Sequence, residues 1–78
     1  MQNCHQKNII SHKLSAFRTK EHMSQQELSD EMATLGITVC RGSISRIEDG
    51  LRAVNDIELV GFAKVLNISV TELLGLDS

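Results

Sequence analysis

Residues 40–52 hold the side chains best suited to gripping a charged polymer. Arg41, Ser43, Arg46 and Arg52 are clustered there, and Gly42 leaves a gap among them. The spacing predicts a short helix from Arg41 to Asp49, with Cys40 at the N-cap and Gly50 just past the end. Ile44 and Ile47, three apart, share one face of it. Arg41, Ser43 and Arg46 then point elsewhere, toward water or a ligand. An arginine in the first turn can pair bidentately with guanine O6 and N7, worth about 1–3 kcal/mol of base discrimination. Arg46 lies five residues on, about 140° around the helix. Ser43 can reach a phosphate or a base. Gly42 reads nothing; it allows closer backbone approach, at a helix cost of about 1 kcal/mol relative to Ala. For each arginine the competing use is a solvated surface charge.

Other chemistry is thin. A thiol at a helix N-terminus, such as Cys40, can have a lowered pKa, although a small residue tolerated at a cap is the simpler reading. Cys4, His5 and His12 are the one candidate ligand cluster, too sparse for a metal site, and His22 has no matching partner pattern. Two cysteines without a C-x-x-C make neither a disulfide framework nor a zinc site. No nucleophile–base pair, paired carboxylates or phosphate loop is present. No enzyme, metal or cofactor is expected.

The elements that must position Arg41 and Arg46 are legible. Ser24 and Glu27 form an S-x-x-E capping box, opening a helix from Gln25 to residue 34 or 35. Leu28 and Met32, four apart, give it an apolar face, and Gly36 breaks it. Two short helices with one buried seam, the second presenting Arg and Ser near its start, meet the requirement for reading a DNA major groove. Gln25 and Gln26 sit beside the free N–H groups and positive dipole end of the first of these helices, a natural phosphate site. Their competing role is as good helix formers in an exposed turn. Arg52, in the loop that follows, is a second phosphate candidate.

Upstream, Ile10, Leu14 and Phe17 predict a helix over about 9–20, behind a flexible arm at 1–8. Downstream, Asn55-x-x-Glu58 opens a helix to Leu66 with Leu59, Phe62, Ala63 and Leu66 inward. Ser69-x-x-Glu72 opens a short one with Val70, Leu73 and Leu74, ending near Gly75. There is no proline, repeat or strand pattern. The expectation is all-α: residues 9–78 as one domain with a helix-pair core at about 24–50.

These segments resemble a known family. Ser24-Gln25 with Glu27-Leu28, and Ile44-Ser45-Arg46-Ile47-Glu48 with Gly50, are similar to the helix-turn-helix of phage Cro/CI-type repressors, the XRE family. Leu14-x-x-Phe17-Arg18 resembles its first helix. Leu59-x-x-Phe62-Ala63-x-x-Leu66 and Glu72-Leu73-Leu74 resemble its last two. The match covers residues 9–75. The chain departs from the commonest spacing by about five residues in Thr34 to Thr38, which makes a longer first helix or a wider turn. The resemblance implies a compact five-helix lambda-repressor-like domain. It implies that Gln25 clamps the DNA backbone and that Arg46 reaches a base or the opposite strand. It also implies that Arg18 and Glu48 form a partly buried ion pair joining the first helix to the third, an Arg–carboxylate fork that Lys would serve less well.

Composition bounds the rest. The chain has 78 residues, two aromatics (Phe17 and Phe62) and a net charge of −2. One small domain with an aliphatic core follows, marginal unless well packed or oligomeric. Seven Lys/Arg and six Asp/Glu lie up to Arg52, whereas one Lys and four acids follow, so basic charge favours the half with the reading head. No apolar run approaches the roughly 20 residues that span a membrane, and the first eight residues are polar, unlike a signal peptide. The expectations are a cytoplasmic location and no membrane contact. The leading expectation is a sequence-specific transcriptional regulator, a repressor by preference. It would bind double-stranded DNA as a homodimer at an inverted repeat with half-sites about 34–36 Å apart. The alternative is a protein-interaction or antitoxin-like module that keeps the fold, reads DNA weakly or not at all, and engages a protein partner. The apolar segment Val70, Leu73, Leu74 and Leu76 is the candidate dimer or partner surface, with core packing the competing use for at least half of it.

Overall fold

Three helices begin where side chain and backbone cap each other. The Ser24 hydroxyl accepts from the Glu27 N–H at 3.0 Å, while the Glu27 carboxylate accepts from the Ser24 N–H at 2.7 Å. Asn55 with Glu58 and Ser69 with Glu72 repeat the arrangement. Each box satisfies two backbone donors that a helix start leaves unpaired. The resulting architecture, in a computed structural model that describes the backbone over residues 2–75 and side chains over 10–75, is all-helical. It comprises α1 (Gln2–Lys20), α2 (Gln25–Thr34), α3 (Arg41–Glu48), α4 (Asp56–Leu66) and α5 (Val70–Leu74). No strand occurs among the described residues, and no helix is long and apolar enough to cross a membrane.

One difference from the sequence reading concerns a boundary. α1 starts at Gln2 instead of near Ile9, so the backbone of residues 2–8 is helical rather than a flexible arm. The segment is polar but contains no glycine or proline, and a helix already nucleated extends over such residues at little cost. Between the core helices, residues 35–40 form a wide turn, one of the two arrangements expected. α2 ends at Thr34, and Gly36 takes a left-handed φ of 79°. The Gly36 N–H donates to Ala33 O at 2.9 Å and the Ile37 N–H to Met32 O at 3.1 Å. This pattern closes a helix with a residue that glycine adopts without penalty. The turn is anchored in the interior: Val39 is buried, and the Ser29 hydroxyl donates to its carbonyl at 2.6 Å. Ile37 and Met32 close over Gly61 of α4, where a β-carbon would lie 2.5 Å from Ile37 Cδ1 and 2.8 Å from Met32 Cε.

The core gathers one apolar face from every helix. Ile10 and Leu14 of α1, Leu28 and Met32 of α2, Ile44 and Ile47 of α3, Phe62 and Leu66 of α4, and Leu73 of α5 are all buried. Phe17, Leu59 and Leu74 pack against them, half-buried. α1 packs on α3 and α5, and α2 on α3 and α4. The Ser11 hydroxyl reaches across from α1 to accept a fixed place against α3, donating to Ile47 O at 2.6 Å. α3 is thus gripped from two sides by its apolar face. Leu73 is fully buried and Leu74 packs against the core, so α5 places at least half of its apolar segment inside, as expected. Leu76 lies outside the described residues, as do the side chains of Cys4 and His5.

Candidate nucleic-acid interface

Burial of Ile44 and Ile47 decides which face of α3 is presented outward. At 100° per residue, the opposite side carries Arg41, Gly42, Ser45 and Arg46. Arg41, Gly42 and Arg46 are exposed. Neither arginine has a hydrogen-bond or ion-pair partner among the described residues. Nothing but Cys40 Sγ, 4.0 Å away, would meet a β-carbon at Gly42, so the surface between the arginines is open. Ser45 lies between Arg41 and Arg46 on this face, half-buried. The sequence reading passed over it. Projecting the helix outward from the Ile44–Ile47 pair would have found it. Asp49, also exposed, caps the far end of the same face with negative charge.

The other arginines are occupied. Arg18 and Glu48 form a two-pronged ion pair, Nε to Oε2 at 2.6 Å and Nη2 to Oε1 at 3.0 Å. Their side chains are only 13% and 7% exposed. Arg18 Nη1 also donates to Met23 O at 2.7 Å, and Gln25 Nε2 donates to Glu48 Oε1 at 3.0 Å. The Arg18–Glu48 pair therefore ties together the end of α1, the turn before α2, the start of α2 and α3. This junction sets the angle at which α3 leaves the body of the protein.

Three of the candidate phosphate ligands have partners within the fold. Gln25 is half-buried in this junction. Gln26 is exposed, and its amide donates to Asp30 Oδ1 at 2.9 Å, a one-turn pair along α2. Arg52 is held by Glu58, with Nη1 to Oε1 at 3.0 Å and Nη2 to Oε2 at 2.7 Å. The physical reason is the same in all three: a nearby carboxylate outcompetes solvent for the donor.

That pairing shifts both partners. The hydrogen bond from Arg52 holds the Glu58 carboxyl below the ordinary carboxylate range, assisted by the Asn55 N–H and opposed by burial. Glu58 in turn raises Arg52. At the start of α3, Cys40 occupies the N-cap without capping it. Its exposed thiol lies 3.4 Å from the Ser43 hydroxyl. That hydroxyl, then the Ser43 and Gly42 N–H groups, lower the thiol's pKa. Ser43 is thereby directed to Cys40 and half-buried, at the edge of the outward face. No group of His, Cys, Asp and Glu among the described residues could hold a metal ion.

Among known proteins, no family model, curated protein or solved structure matches this chain.

Proposed function

We propose that this protein is a sequence-specific DNA-binding regulator that inserts α3 into the major groove and binds an inverted repeat as a homodimer. The observation that carries the reading is the division among its arginines. Among the described residues, the two in α3 are exposed and without partners, whereas Arg18 and Arg52 are held in ion pairs. Leaving Arg41 and Arg46 bare on a helix braced from behind serves no internal purpose, and it presents two forked donors to a ligand. They are separated by about 7.5 Å along the axis, near the rise of two base steps. Arg41, in the first turn, is the candidate for guanine O6 and N7. Arg46 reaches a neighbouring base or the backbone, and Gly42 lets the helix lie close. At the start of α2, the N–H groups of Gln25 and Gln26 are left over by the capping box and suit a phosphate.

The test is selection of the purified protein against a randomised duplex pool at two salt concentrations, followed by titration of the enriched site. A palindromic site and a steep salt slope are expected. Arg41→Ala should weaken binding by about 1–3 kcal/mol and relax preference at one base position, with the helical content unchanged. No enrichment, or equal binding by the variant with Arg41 and Arg46 both reversed to Glu, would refute it. One observation favours a protein-interaction role beside this one: an apolar groove between the α2–α3 turn and α4.

A further inference from the structure

Among the described residues four large apolar side chains are exposed, and three of them, Leu35, Ile57 and Val60, line one groove of about 360 Å³ between the α2–α3 turn and α4. Ile57 is 67% exposed. Apolar residues scattered singly need no partner, but a contiguous apolar groove rimmed by charge marks a contact surface. Its floor is formed by Gly61, whose missing side chain Ile37 and Met32 of the same chain have already covered. The rim carries Asp56 at the start of α4 and Lys64 near its end, both exposed.

Those two charges choose the occupant. They lie eight residues apart, about 12 Å along the helix, and Val60 is midway between them. A two-fold axis through Val60 would set α4 antiparallel to its own copy. Asp56 would then meet the partner's Lys64 at one end, and Lys64 the partner's Asp56 at the other. Ile57 would fall beside the partner's Val60. A two-fold interface must be complementary to itself, and this face is: its apolar centre pairs with itself and its opposite charges exchange. A parallel arrangement would oppose Asp56 to Asp56 and Lys64 to Lys64.

We infer that the groove is the homodimer interface, built by antiparallel packing of α4 against α4 of a second copy with reciprocal Asp56–Lys64 ion pairs. This rests on the homodimer part of the reading above and is independent of its DNA part. It replaces α5, whose Leu73 is spent in the core. One 11-residue helix and a turn per copy make a small interface, with a dissociation constant on the order of micromolar.

The test is sedimentation equilibrium of the full chain and four variant preparations, with helical content checked in each. The parent is expected to be a concentration-dependent dimer. Val60→Glu, at a half-exposed position that the fold tolerates, should raise the dissociation constant at least about thirtyfold. Asp56→Lys and Lys64→Asp, each alone, place like charges at both ends and should be largely monomeric. An equimolar mixture of those two variants restores opposite charges at both ends and should dimerise. A parent monomeric up to its highest soluble concentration would overturn the inference and leave the groove to another protein. So would a dimer that survives Val60→Glu, or a mixture that stays monomeric. Dimerisation as expected without any enriched DNA site would uphold the interface and sink the DNA reading. An enriched site bound by a dimer indifferent to these substitutions would do the reverse.

Discussion

Replacing Glu48 by Gln should destabilise the protein far more than an ordinary surface substitution, although the two side chains have nearly the same shape. The carboxylate accepts from Arg18 Nε at 2.6 Å, Arg18 Nη2 at 3.0 Å and Gln25 Nε2 at 3.0 Å. Gln retains one acceptor oxygen, replaces the other with a donor facing a guanidinium, and leaves the arginine charge uncompensated at 13% side-chain exposure. Opening a buried pair from one side costs about 3–5 kcal/mol. Residual solvent access and the surviving Arg18 bond to Met23 O argue for the lower end, about 3 kcal/mol. In a domain of this size that is a loss of at least about 12 °C in Tm. Urea and thermal unfolding followed by circular dichroism would measure it, together with Arg18→Met and the double variant Arg18→Met/Glu48→Gln. The double variant should lose less than the two singles added, because neither charge is then left stranded. A Glu48→Gln penalty below about 1 kcal/mol, the range of exposed pairs, would refute the reasoning and show that the junction does not brace α3.

Acid should find a second weak point. The Glu58 carboxyl is held below its unfolded value by Arg52, so its contribution is full above the ordinary carboxylate pKa of about 4.3 and disappears as pH falls toward the lowered folded value. Glu58→Gln should therefore flatten the decline in Tm between about pH 5 and pH 3, and parallel curves for parent and variant would contradict the pairing. At Cys40 the Ser43 hydroxyl is the first cause of the lowered pKa, so Ser43→Ala should slow alkylation of the exposed thiol by iodoacetamide near neutral pH. Equal alkylation rates would show that the hydroxyl does not act on the thiol.

The local signals were readable because their causes span three or four residues. Ser24–Glu27, Asn55–Glu58 and Ser69–Glu72 each close within a single helical turn, so the residue types alone placed three helix starts. The spacing of Ile44 and Ile47 chose the buried face of α3, and with it the outward arginines. Two kinds of feature were out of reach. Where no stop signal exists, as over residues 2–8, the sequence does not say how far a nucleated helix extends. The second kind is the choice among partners. Gln25, Gln26 and Arg52 have the chemistry of phosphate ligands, and whether each is free depends on which carboxylate the fold brings within about 3 Å. The wider turn likewise could have been helix until Gly36 turned left-handed and Ile37 settled over Gly61, a contact between elements far apart in the chain. The amino-acid sequence by itself determined the helices and their faces, because caps and periodicity act locally. The tertiary structure alone decided which charges cancel inside the protein and which, on α3 and along α4, remain facing outward, because pairing depends on proximity in space.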